Sequence, residues 1–139
     1  MRKGKAMEEN AYETLCRIRE RVQALSRVQD SLARLEAVYK SPSFDGMPGG
    51  GGAGDAMDRR MCALEEMGGM AREIENEVRE LTEAVRPVLA GMPDHLHIFC
   101  VTYYMAARSI RDVCMVMQRA KATVMEYKRE LREWLENEN

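Results

Sequence analysis

The stretch "RSIRDVCMVMQRAKATVMEYKREL", Arg108 to Leu131, admits two readings, and the choice between them decides the fold. It contains no glycine or proline, so one long surface helix is the simplest. Read that way, the buried stripe Ile110, Val113, Cys114 and Met117 runs on to Ala120, Lys121 and Val124, which puts a lysine among apolar side chains. A turn at Gln118-Arg119-Ala120 removes the conflict. Ser109 then starts a first helix, since a serine oxygen accepts from the free backbone N–H groups of a first turn. A last helix buries Val124, Tyr127, Leu131 and Trp134 or Leu135. Its opposite side shows Lys121, Ala122, Met125, Glu126, Lys128 and Arg129. Upstream, Pro93 suits a helix start, and "DHLHIFCVTYYMAA", Asp94 to Ala107, spaces Leu96, Phe99, Cys100, Tyr103 and Tyr104 helically. Residues 93–139 thus read as three helices with a tight turn between the second and third, a helix-turn-helix.

Outward from this unit the chain continues in helical periods. Ala11, Leu15, Ile18, Val22, Leu25, Val28, Leu32, Leu35 and Tyr39 follow steps of three and four, predicting one long amphipathic helix over residues 1–40. Glu and Arg in "CRIRERVQ" supply its solvated side. Residues 41–56 hold two prolines and the run Gly49–Gly52, which read as a flexible link. A phosphate-cradling glycine loop would need a following Lys-Ser/Thr and a flanking strand pattern, and neither is present. A second long helix is expected over residues 57–92, with the seam Met57, Met61, Leu64, Gly68, Ala71, Ile74, Val78, Leu81, Val85 and Val88, and with Pro87 kinking or ending it. Both seams take two successive steps of three, at Val22-Leu25-Val28 and at Gly68-Ala71-Ile74. Folded back on each other as an antiparallel coiled-coil-like hairpin, the helices bring these irregularities to one level. The expected fold is therefore all-α, a long antiparallel helical hairpin followed by a three-helix unit. The methionines of the second helix read chiefly as gap-filling core.

Composition narrows the function. Among 139 residues, charged types make up 32% with a net charge of −2, which excludes a uniformly basic nucleic-acid binder and requires any such contact to be a local patch. From Cys100 to Arg132 there is one: seven cations (Arg108, Arg111, Arg119, Lys121, Lys128, Arg129, Arg132) face three anions (Asp112, Glu126, Glu130), for +4. No apolar run approaches the ~20 residues that cross a bilayer, and "MRKGKAMEEN" lacks the apolar core of a signal peptide, so a cytoplasmic protein without membrane contact is expected. Cys16, Cys62, Cys100 and Cys114 form no CxxC pair and are expected as reduced, buried thiols. His95 and His97 stand two apart and point about 200° away from each other on a helix, so they cannot share a metal there. No cofactor or metal is expected. Nothing resembles a nucleophile constellation or a paired-carboxylate site, and no enzymatic activity is expected.

"YYMAARSIRDVCMVMQRAKATVMEYKREL", Tyr103 to Leu131, resembles the final helix-turn-helix of small phage regulators of the RinA and ArpU type, themselves similar to the promoter-reading C-terminal domain of sigma factors. The family pattern falls on Tyr103-Tyr104-Met105, Ala107, Ser109-Ile110, Val113-Cys114, Met117-Gln118, Ala120 and Thr123-Val124. This chain has Tyr103 where the family has arginine, Ala107 and Gln118 where it has glycines, and Ala120 where it has a serine. The resemblance implies a late-gene transcriptional activator of a phage or prophage. Its partners would be double-stranded DNA and RNA polymerase, with the hairpin supplying homo-oligomerisation or the contact to the polymerase. Implied DNA contacts are Arg108, Ser109, Arg111, Arg119, Lys121, Ala122, Thr123, Met125, Glu126 and Arg129. The alternatives are an oligomeric phage assembly or DNA-packaging subunit, like a small terminase, and a helical scaffold without a nucleic-acid role.

Overall fold

A computed structural model describes residues 10–39 and 53–138. These residues form five α-helices and no strand: α1 (Ala11–Tyr39), α2 (Ala53–Leu89), α3 (Asp94–Phe99), α4 (Ile110–Met117) and α5 (Lys121–Glu138), with a π-helical segment Cys100–Met105 continuing α3. The fold is all-α. The described residues divide into two compact units, those within 1–23 and 77–139, and those within 24–76.

The start of α1 is locally encoded. The Asn10 side chain accepts from Glu13 N–H (2.8 Å), and the Glu13 carboxylate reaches back to Asn10 N–H (3.4 Å), a reciprocal cap that satisfies two otherwise free donors. The second long helix, α2, begins at Ala53, inside the stretch expected to be link. Most of that link, including Gly49–Gly52, lies outside the described residues. Pro87 neither breaks α2 early nor ends it at once. It stands in the last turn, where its missing N–H costs a single bond, and the helix closes at Leu89.

In the first unit the core is built from α1, the end of α2 and everything after it. Leu15 and Ile18 of α1, Val85 and Leu89 of α2, Leu96 and Phe99 of α3, Tyr104, Val113 of α4, and Val124, Leu131 and Leu135 of α5 form one buried cluster. The compact body is therefore larger than residues 93–139. Three short elements and α5 do not enclose enough apolar surface alone, and burying Leu15 and Ile18 adds about 1.5–3 kcal/mol each. Arg17 and Arg21 both pair with Glu77 across the α1–α2 contact (3.6 and 3.2 Å).

The helix expected over Asp94–Ala107 changes character halfway. From Cys100 its turns widen, closing with Ala106 N–H donating to Val101 carbonyl (2.8 Å) and Arg108 N–H to Thr102 carbonyl (3.1 Å). Both neighbouring tyrosines are thereby used. Tyr104 is buried with its ring edge-on to Tyr12 (6.2 Å) and Phe99 (6.1 Å), while Tyr103 stacks on Phe99 (5.3 Å).

The second unit is thinner. The Arg60 guanidinium lies 5.1 Å over the Tyr39 ring, joining the end of α1 to the early part of α2. Only Ala71 and Ile74 are buried among its described apolar residues. Met57, Met61 and Met70 are exposed rather than gap-filling core, because a lone pair of helices can cover just one stripe on each. Cys62 is exposed as well, against the expectation of buried thiols; Cys100 is buried, and Cys16 and Cys114 are half-buried. All four are free thiols.

Candidate nucleic-acid interface

The expected helix boundaries around Gln118 are those of the structure. Ser109 is extended (φ −73°, ψ 163°) and its hydroxyl accepts from Asp112 N–H at 3.1 Å, capping α4. At the other end Gln118 turns left-handed (φ 56°, ψ 49°), and the N–H groups of Gln118 and Arg119 both donate to Cys114 carbonyl. This left-handed residue ends α4, and α5 starts three residues later without a side-chain oxygen at Ala120 to cap it. Ala107 is left-handed too (φ 57°). Among the described residues these two are the non-glycine positions with positive φ.

Val113 of α4 and Val124 of α5 are fully buried against each other's core, which sets how the two helices cross. Lys121, Ala122, Met125, Glu126 and Arg129 are exposed on α5, whereas Thr123 is half-buried. On α4 and its flanks, Arg108, Ser109, Arg111 and Arg119 are exposed. The ten sequence-derived positions thus lie along α4, the turn and the first half of α5.

Their charges are distributed less simply than the +4 count suggests. Arg129 is held between Glu126 and Glu133 on its own helix (Glu133 at 2.8 Å), and the hydrogen bond it donates to Glu126, then the charges of both acids, push its pKa upward. Arg132 pairs with Glu136 (3.5 Å) and lies 4.8 Å over the Tyr12 ring. Lys128 leans over Tyr103, its ammonium 5.1 Å from the ring centre. Arg108 pairs with Asp112 (3.4 Å). Among the described residues Arg111, Arg119 and Lys121 have no carboxylate partner, although Arg119 does donate to its neighbour Gln118 carbonyl (3.2 Å). Exposed Met115 (69%) and Val116 (58%) stand between the first two of these cations. The uncommitted positive charge is therefore centred on the turn, and the later part of α5 is a neutralised, acid-rich face.

Two contributions escaped the sequence pattern. Arg19, on the side of α1 that periodicity assigns to solvent, stacks its guanidinium 3.8 Å from the Tyr103 ring centre and donates to the carbonyls of Tyr103 and Arg108 (2.9 Å for the latter). It ties α1 to the chain immediately before the Ser109 cap. His95 sits against Tyr127 (ring centres 4.9 Å apart) and 3.3 Å from both Glu130 oxygens. His97 is exposed. No cluster of metal-ligating side chains occurs among the described residues.

Burial shifts two groups nearby. The Cys100 thiol is pushed up to about 12, and the Tyr104 hydroxyl is also raised, by burial first and then by Tyr12. Both are neutral at physiological pH. The Tyr104 oxygen is buried with no hydrogen-bond partner satisfying it in geometry, so burial dominates its shift. No helix among the described residues is long and apolar enough to cross a membrane. Compared with known families, curated proteins and solved structures, the chain matches none.

Proposed function

We propose that the protein binds double-stranded DNA through α4, the Gln118–Ala120 turn and the start of α5, as a transcriptional regulator of the phage late-gene activator type. The observation that carries this reading is conformational. The two left-handed non-glycine residues, Ala107 and Gln118, fall on the two positions where the resembling phage regulators have glycine. A backbone that demands φ > 0 at both places is the one for which that spacing of glycines is suited. Charge supports it in part: Arg111, Arg119 and Lys121 are free to meet phosphates, and the N-terminus of α5 adds its dipole at the same place. Arg129 and Glu126 are the weaker members of the expected set, because an incoming phosphate must first displace an existing ion pair.

The acid-rich second half of α5 (Glu130, Glu133, Glu136) favours a second reading, an oligomeric assembly or packaging subunit in which this surface meets protein. Anisotropy of a labelled duplex separates them. Arg111→Ala, Arg119→Ala and Lys121→Ala together should reduce the slope of log K against log salt by up to ~2.7 if each touches one phosphate. Arg129→Ala alone should change it by much less. A parent protein that holds no duplex at low salt refutes the DNA reading and leaves the assembly reading.

A further inference from the structure

The second compact unit has more apolar surface than its two helices cover. At about 100° per residue, Val28, Ser31, Leu35 and Val38 make one strip along α1, and Ser31, Arg34, Leu35 and Val38 line an open groove there. Val38 is 48% exposed, and Val28 and Leu35 are only half-buried. On α2 the corresponding strip is Ala63, Met67, Met70 and Ile74, with Met70 50% exposed. Tyr39 at the end of α1 meets Arg60 near the start of α2. Arg21 of α1 meets Glu77 of α2 (3.2 Å), so α1 residues of rising number touch α2 residues of falling number. Helices that touch in this order run antiparallel, and in an antiparallel pair these two strips open on the same side.

The edges of that face differ in sign. Beyond the apolar strip, α1 carries exposed Arg27 and Arg34, and α2 carries exposed Glu66 and Glu73. None of the four has a carboxylate or cationic partner among the described residues; the Arg34 side chain only reaches its own helix at Asp30 carbonyl (3.5 Å). Arg59 lies on the acidic edge too, two turns nearer the start of α2. A surface with an apolar centre, one cationic edge and one anionic edge complements itself. Turned about a two-fold axis parallel to the helices, a second copy sets its α2 against α1, apolar strip on apolar strip and acids on arginines. Every neighbouring helix is then antiparallel, the arrangement of a four-helix bundle.

We propose that this face, centred on Leu35, Val38, Met67 and Met70, is the interface through which two copies of the chain associate, with Arg27 and Arg34 of each meeting Glu66 and Glu73 of the other. The proposal does not depend on DNA binding. Light scattering with size exclusion on the full chain should give twice the monomer mass. Val38→Glu with Met70→Glu, both at half-exposed positions, should raise the dissociation constant at least about 100-fold while leaving the helical circular dichroism unchanged. Charge reversal supplies a second arm. Arg27→Glu/Arg34→Glu and Glu66→Arg/Glu73→Arg should each weaken self-association, and an equimolar mixture of the two should restore it, because the mixed dimer pairs opposite charges at both edges. A monomer at every concentration up to the solubility limit overturns the proposal, as that outcome leaves the face to another occupant such as the chain's own residues 41–52. A dimer indifferent to Val38→Glu/Met70→Glu, or reversed variants that do not rescue each other, places the interface elsewhere and overturns it equally.

Discussion

Replacing Gln118 by glycine should stabilise this protein, the opposite of what glycine does in most positions near a helix. Gln118 has φ 56° and ψ 49°, a region where Cβ crowds the carbonyl at a cost of about 1–2 kcal/mol. Its side chain is exposed, so truncation removes no core contact. Glycine pays back about 0.5–1 kcal/mol through the extra freedom of the unfolded chain. The net gain is then about 0.5–1 kcal/mol. Trp134 is the single tryptophan and packs at the edge of the first unit's core, so its fluorescence reports urea unfolding of that body directly. The control is Ala106→Gly, at an exposed residue with φ −93°, where no strain is relieved and roughly 0.5–1 kcal/mol should be lost. If Gln118→Gly lowers the midpoint as much as the control does, the left-handed turn is not there. The strongest argument for the phage-regulator reading falls with it.

Arg19→Met keeps most of the aliphatic stem but removes two charged hydrogen bonds and a cation–π contact. A loss of about 2–4 kcal/mol in urea unfolding is expected, and a double-mutant cycle with Tyr103→Leu should show coupling between the two. Because the Cys100 thiol is raised from 9.0 to about 12, its stabilising effect is complete below pH 9 and is lost as pH climbs toward 12. Between pH 8 and pH 10.5 the parent should lose about 2 kcal/mol that Cys100→Ala does not; equal losses would show that the thiol is not the responsible group. Finally, Leu25→Cys with Ala71→Cys, in a chain whose native cysteines are replaced, should cross-link within one chain on oxidation. Cross-links found only between chains would refute the intramolecular hairpin.

The local rules were legible in the sequence because they act over a few residues. Ser109 as a cap, a break at Gln118–Ala120, and Val113, Val124 and Leu131 as inward positions all follow from hydroxyl chemistry and the helical period, and the structure has each of them. The period left Trp134 or Leu135 open, and packing buries Leu135. The Asn10–Glu13 cap rests on the same local chemistry, but the apolar period that marked α1 did not point to it. Tertiary packing decided what periodicity cannot carry. Whether a charged residue on a polar stripe is solvated or engaged depends on what faces it, so Arg19 against Tyr103 was set by a neighbour in space, whereas the Glu126–Arg129–Glu133 pairing is local to α5. The boundary of the compact body was likewise a matter of area: α3, α4 and α5 bury too little alone, and they recruit Leu15 and Ile18 from the far end of the chain. The same accounting leaves Met57, Met61 and Met70 uncovered, since a helical period marks which side is apolar without saying whether one partner is wide enough to cover it.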